Sequence, residues 1–523
     1  MWDMMRSPRP LQTLRTRVAV VPVAGILVMA SASVFGQSAL DTGPGRAVSI
    51  VPRVTVSETL TDNVLLTSAG QQSEQITEIS PGIRISSDVG RLKGYFDYSL
   101  SEIAYAQNSS SNQSQNALTT FGTLEAIDDW GFVDFSGSIS QQSISAFGTQ
   151  SSDNTSINAN RTEVSSYRIS PYVRGRLGGD LANYEARYSR AITSGEARAG
   201  SGVTTVDGTA RISGGSAFKN VGWSVDASQQ SIDYSAGRPT EADRVTVGLS
   251  YLITPQVSVS ANVGREANNY TSFDKQRYGT SGVGVSWSPS ETTKLSASRA
   301  QRSFGDAHSV SFEHRSARTA WKFTDTKDVS ATPNQTGFAS LGSIYDILFS
   351  QFASIEPNPV SRAQLVNAFL QANGVSPGAI VVTRFLTSAV SLQRRQDLSF
   401  ALLGVRDTVT FIATRSESNR LDALSTGVDD FSSSSVVRQR GFSVNYSHRL
   451  TPDYSLGALV SQQTISGELS LQDTTLRSFN VNVTGKVGRR ATASVGLRHV
   501  IFIGNGSASY TENAVVGNLT VQF

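Results

Sequence analysis

Four histidines, His308, His314, His448 and His499, are the whole imidazole complement of this 523-residue chain, which has no cysteine. His308 and His314 lie six apart on one predicted strand and so share a face, but about 20 Å separates them along it, too far to close one metal site. Ser309 beside His308 and Ser447 beside His448 resemble nucleophile–base pairs only on paper, because adjacent strand residues point to opposite faces. Gly282-Val283-Gly284 sits in an alternating stretch with no phosphate-loop continuation. Glu58 with Asp62-Asn63 offers hard oxygens to a divalent cation, yet the spacing is not that of a calcium loop, and an ordinary turn explains it better. The chemistry expected is therefore not enzymatic: no catalytic set, no cofactor and no metal.

Rows of charge are more informative. From Val164 to Leu177, Arg168, Tyr172, Arg174 and Arg176 share one face while Ile169, Val173 and Leu177 share the other. In the next segment Asn183, Glu185 and Arg187 oppose Tyr184, Ala186 and Tyr188. Facing a pore, such rows would set up a transverse field that orients or filters polar solutes. Tyr95 and Tyr105, with amides nearby, would suit a sugar-bearing polymer; a solvated wall that merely has to be polar explains the same residues.

The elements that must position these rows are strands. Val257, Val259, Ala261 and Val263 alternate with Ser258, Ser260, Asn262 and Gly264, and Phe442, Val444 and Tyr446 alternate with Ser443, Asn445 and Ser447. The period of two, with one face apolar and the other small or amidic, recurs from Ala47 to the end of the chain in segments long enough for tilted transmembrane strands. The last segment carries Leu519, Val521 and the terminal Phe523 on one face, which resembles the signal that hands outer-membrane barrels to their assembly machinery.

Short connections are expected at Asp128-Asp129-Trp130, Gly178-Gly179-Asp180, Lys219-Asn220, Ser288-Pro289-Ser290 and Thr324-Asp325-Thr326. Longer polar ones fall between them, such as Ser145 to Arg161. That alternation of rims, with Trp130, Tyr184, Trp223, Tyr251, Trp287, Trp321 and Tyr454 near the short turns, predicts an all-β transmembrane antiparallel up-and-down barrel. About 22 strands are expected (18 to 24), too many for side chains to fill the lumen.

Composition agrees. Hydrophobic residues make up 38% of the chain, and mean hydropathy is −0.17, modest for its length but sufficient if only an outer band must be apolar. Arg6, Arg9, Arg15 and Arg17 precede an apolar run from Val18 to Met29, read as a signal peptide over residues 1–36. Its four Arg and one Asp leave 41 basic and 41 acidic residues of the 45 and 42 in the whole chain, which removes the main support for a nucleic-acid partner.

One stretch, residues 334–383, breaks the rhythm. Ser343 is placed to cap a helix with Ile344, Ile347, Leu348, Phe352 and Ile355 on one face; Asn358-Pro359 starts a second with Leu365, Val366, Phe369 and Leu370. The insertion leaves what parity makes an outer loop and must bury its apolar faces on itself or on the barrel wall or mouth. Tyr345, Phe352 and Phe369 are its candidates for a constriction; a loop packed over the outer rim is the plainer alternative.

Several motifs together resemble the outer-membrane barrels associated with PEP-CTERM/exosortase loci, close to a second family of β-barrel porins. They are Pro52-Arg53-Val54-Thr55-Val56-Ser57-Glu58-Thr59, Ile79-Ser80-Pro81-Gly82, Asp129-Trp130-Gly131-Phe132-Val133-Asp134, Ala363-Gln364-Leu365-Val366-Asn367-Ala368-Phe369-Leu370 and Gln393-Arg394-Arg395. The resemblance implies the outer membrane of a Gram-negative bacterium and the company of exopolysaccharide synthesis, and it assigns no active site. The function expected is a channel or porin-like protein associated with polysaccharide export. Its partners would be outer-membrane lipid, the barrel assembly machinery, exopolysaccharide and periplasmic export components. A non-conducting scaffold and a substrate-specific uptake porin are the alternatives.

Overall fold

A computed structural model describes residues 48–523, except 89, 179–180, 196–201, 215–219, 236, most of 331–388, 423, 425–428 and 508. The signal-peptide reading of residues 1–36 lies outside it, as does most of the 334–383 insertion. Twenty-two antiparallel strands, from β1 (Val48–Thr61) to β22 (Tyr510–Gln522), each pair with the next in sequence. The ring closes where β22 pairs β1, from Arg53 opposite Gln522 to Thr61 opposite Ala514. Leu519 and Val521 lie in this closing seam, opposite Val56 and Val54, and the Phe523 N–H donates to the Pro52 carbonyl (2.9 Å). With an even number of strands, both chain ends of the barrel return to the periplasmic rim.

Closure satisfies every strand edge, and the period of two sorts the side chains. Leu249, Val263, Val283 and Leu497 point outward and are 59% to 64% exposed, a degree of apolar exposure around a whole molecule that only lipid can cover. Near the periplasmic rim, Tyr251, Trp287, Trp321 and Tyr454 line the same outward face, and Trp130 donates its indole N–H to the Tyr184 hydroxyl (2.8 Å). The protein is an outer-membrane β-barrel.

Two expected turns are corrected. Thr324-Asp325-Thr326 lies inside β15 (Thr319–Ser330), and the connection before that strand is 316–318. Asp325 is no turn residue because strand neighbours satisfy it: His308 Nε2 at 3.1 Å, Arg394 Nη2 at 2.8 Å and Gln396 Nε2 at 2.9 Å. Ser288-Pro289-Ser290 ends β12 (Gln276–Ser290), where Ser290 pairs Thr293 around a two-residue turn. The outer rim also holds one tight connection, Ser303-Phe304, made possible by Gly305 at φ 100°.

Candidate functional site

The inward face carries the charge rows. Arg168, Arg174 and Arg176 of β6 (Arg161–Leu177) and Glu185 and Arg187 of β7 (Ala182–Gly195) lie on the face opposite exposed Ile169, Leu177 and Tyr188. Phe132 and Asp134 of β5 (Gly131–Ser143) complete the group. Phe132 and Tyr172 stack at 5.1 Å, Arg174 lies over Phe132 at 4.3 Å, and Arg187 lies over Tyr172 at 3.8 Å. Arg187 also binds Asp134 (2.6 Å) and Glu185 (3.3 Å), while Arg168 reaches Asp207 at 4.0 Å. The result is a stack on the lumen wall of two rings held between two cations. The alternation about Asp134 hinted at this contribution of β5, but only the register aligns Phe132 with Tyr172.

Over the outer mouth, loop 144–160 folds inward and crosses the bore. It leaves the hairpin of β5 and β6, and Ser145 Oγ and the Ala146 N–H both donate to Asp430, at 2.5 and 2.6 Å. Asp430 begins a single helical turn (Asp430–Ser433) between β17 (Asp407–Arg420) and β18 (Val436–Arg449), half of the 22-strand ring away. The loop is thus a strap across the mouth. Its middle is held by a buried network: Arg498 of β21 (Ala491–Gly504) pairs both Asp153 and Glu512 at 2.7 Å, and Thr61 Oγ1 donates to Glu512 (2.9 Å). Tyr510 and Tyr105 donate their hydroxyls to the Gln150 and Thr155 carbonyls, at 2.6 and 2.7 Å.

Burial works to raise both the strap's Asp153 and its anchor Asp430, but their partners give opposite outcomes. Desolvation works to raise Asp153, but the Arg498 and Arg161 guanidiniums and the N–H groups of Ser156 and Thr155 overcome it and hold the group at about 2. At Asp430, desolvation wins over the bonds from Ser145 and Ala146 and lifts it to about 6. Apolar packing completes the cap. Val64 meets Ile76, Ile103 and Tyr105; Leu66 meets Val500, Phe502 and Tyr510; Ala146 meets Phe431, Val437 and Ile465.

The insertion between β15 and β16 (Ser391–Leu403) leaves the outer rim but reaches the opposite end of the lumen. Asn358 Nδ2 donates to Asp88 in a periplasmic turn (3.1 Å). Asn367, on a helical stretch within 359–367, donates to the Tyr95 hydroxyl (2.9 Å) and accepts from Arg84 (3.2 Å). Phe349 meets Phe121 edge-on at 5.8 Å, and Arg362 lies over the Phe349 ring at 4.7 Å. The docking wall is prebuilt around Asp97, which accepts from Arg53 (2.5 Å), Arg84 (2.9 Å) and Tyr95 (2.9 Å). The described residues of the insertion therefore pack inside the bore, not over the outer rim.

Of the constriction candidates, Phe352 is buried, and Tyr345 and Phe369 lie outside the described residues. Tyr95 and Tyr105 are 3% and 2% exposed, so the rings expected to meet sugars instead anchor the insertion and the strap. Among the described residues, no group of three or more His, Asp or Glu is placed to hold a metal ion.

No family model and no curated protein matches the chain. Among solved structures, it is similar to the siderophore receptor PirA from Pseudomonas aeruginosa (9% identity, TM-score 0.42, 91% of this chain and 80% of that one). PirA from Acinetobacter baumannii gives 10% identity and 0.46 over 90% and 80%. The FrpB iron transporter from Neisseria meningitidis gives 9% and 0.46 over 90% and 81%. The fold rests on the strand register itself.

Proposed function

We propose that this barrel is a gated outer-membrane channel serving the export of extracellular polysaccharide, in the company of the PEP-CTERM/exosortase-type systems its motifs resemble. The observation that carries the gated channel is the double obstruction of a polar, charged bore: a strap at the outer mouth and an insertion docked toward the periplasmic end. A scaffold has no need of a charged lumen row such as Arg168, Arg174, Arg176 and Arg187, whereas a polymer conduit gains from cations that grip acidic substituents weakly and repeatedly. No nucleotide-binding motif accompanies the bore, so passage would be passive and driven by partners in the periplasm.

The same obstruction favours one rival, a non-conducting scaffold that never opens. Planar-bilayer recordings separate the two: a variant lacking 339–374 and carrying Arg498→Met conducts if the barrel is a channel, and lasting silence makes it a scaffold. Disrupting the chain in its host and weighing secreted polymer tests the cargo. Loss of extracellular polymer with periplasmic accumulation supports export, and unchanged secretion removes it, leaving an uptake porin as the channel's role.

A further inference from the structure

The outward face should be apolar until it leaves the membrane, and over strands β15 to β20 charge interrupts it early. On β17 and β20 (Thr474–Lys486) the last outward apolar side chains toward the outer rim are Ala413 and Phe479. On β15, β16 and β18 the continuous apolar face ends at Phe323, Leu398 and Phe442, and only the strand-end residues Val329, Leu392 and Val436 lie on that face further out. One or two outward positions beyond Phe323, Leu398, Ala413, Phe442 and Phe479 stand Lys327, Arg394, Arg415, Arg440, Arg438 and Arg477. These six cations share the surface with two outward carboxylates, Asp325 and Glu417, and with Glu468 on the loop above, which accepts from Ser435.

The register makes the imbalance local. Arg415 pairs directly opposite Arg440, both exposed, and neither has a hydrogen bond or ion pair among the described residues. Like charges directly opposite on a sheet repel, and such a pair persists most readily where a shared anion lies between its members. The carboxylates are already engaged elsewhere: Asp325 by Arg394, Gln396 and His308, and Glu417 by Arg438 at 3.6 Å. Arg477 leans on Gln462 (3.2 Å), which sits opposite Phe442 beside the pair.

We propose that this crown is a binding site for the phosphorylated headgroup of an outer-leaflet glycolipid. Its phosphates would bridge Arg415, Arg440 and Arg477, and its acyl chains would lie down the outward surface of Phe411, Phe442, Val444, Val460 and Phe479. Height and sign select the occupant. The cations stand where the continuous apolar band ends, with only Val329, Leu392 and Val436 beyond them, and they face lipid, so a soluble polyanion would meet the headgroup layer first. A zwitterionic phospholipid brings no net charge to offset four more cations than paired strand carboxylates. Arginine suits the task because its planar fork bonds phosphate oxygens in pairs.

Native mass spectrometry of the full chain in neutral detergent, titrated with diphosphoryl lipid A, phosphatidylethanolamine or inorganic phosphate, tests this. Diphosphoryl lipid A should stay bound, phosphatidylethanolamine should not, and Arg415→Gln/Arg440→Gln should weaken binding about 30-fold. Arg415→Lys/Arg440→Lys should recover most of it, and Arg265→Gln, an outward cation on another part of the wall, should leave it unchanged. Heat-modifiable migration on gels verifies that each variant is folded, and the lysine pair carries the test if the glutamine pair is not. Equal retention of lipid A by the glutamine and wild-type proteins overturns the site, as does displacement by inorganic phosphate at matching concentration or equal retention of phosphatidylethanolamine.

Discussion

At the scale of single residues, the strap depends on Arg498. It sits between Asp153 and Glu512 at 10% exposure, and the carboxylates are 13% and 1% exposed. Removing the cation leaves two buried carboxylates facing each other, which costs roughly 3–5 kcal/mol in comparable buried networks. Arg498→Met is therefore expected to release loop 144–160 without unfolding the barrel. Limited proteolysis checks this: new cleavage within 144–160, with the heat-modifiable barrel band intact, is the expected result. A strap as resistant as the wild type would mean that the network does not hold it.

Asp430 gives the loop a pH dependence of the opposite sense to that of Asp153. Its folded value, about 6, lies above the ordinary carboxyl, so its contribution is complete only below the ordinary carboxyl value and is lost as pH rises from there through 6. Asp153, held at about 2, contributes above the ordinary carboxyl value and is lost only as pH falls toward 2. The strap should be tightest near about pH 4, where Asp153 is fully ionised and Asp430 still protonated, and should loosen as pH rises to about 6. Hydrogen–deuterium exchange of 144–160, corrected for intrinsic rate, should be faster at pH 8 than at pH 5, and Asp430→Asn should abolish the difference.

At the scale of elements, the two faces of a strand predict different tolerance. Leu497 lies mid-strand on the lipid face, whereas Asn482 on the neighbouring β20 faces the lumen between Gly457 and Gly496. Leu497→Arg should cost about 2–4 kcal/mol and reduce the folded fraction in outer-membrane preparations, while Asn482→Arg should assemble normally. Equal yields would mean the faces are assigned wrongly. Those faces were legible in the sequence, because period-two alternation is a local property. So was the strand total, since each polar turn interrupts it. Thr324-Asp325-Thr326 misled because a short polar triplet with Asp resembles a turn, and only cross-strand register brings His308, Arg394 and Gln396 to satisfy it. The insertion's helical spacing was visible too, but not its destination. Asn367 and Arg84 lie 283 positions apart, and no local pattern encodes which end of the bore a long segment will reach. The strap was concealed more completely. A Ser/Asn-rich stretch reads as an exposed loop, yet Asp153 organises Thr155 and Ser156 around itself and then meets Arg498.

At the scale of the whole molecule, strap and insertion obstruct one bore in series, since the strap's anchors lie at the outer ends of the strands and the insertion's at the periplasmic ends. Resistances in series add, so opening one barrier leaves current limited by the other. Deleting 339–374 alone frees the periplasmic half but leaves the strap tied through Arg498 and Asp430; Arg498→Met alone frees the mouth but leaves Asn367, Phe349 and Asn358 docked. Each single variant should conduct little above wild type in planar bilayers, and the combined variant should conduct far more than the two increments together. The Asp430 term adds a direction. Alkaline solution on the outer side should raise current in the 339–374 deletion, where the strap alone limits, and barely change Arg498→Met, where it does not. Full conductance from either single variant would mean that the two elements do not close the same path, and that one of them only lines the wall.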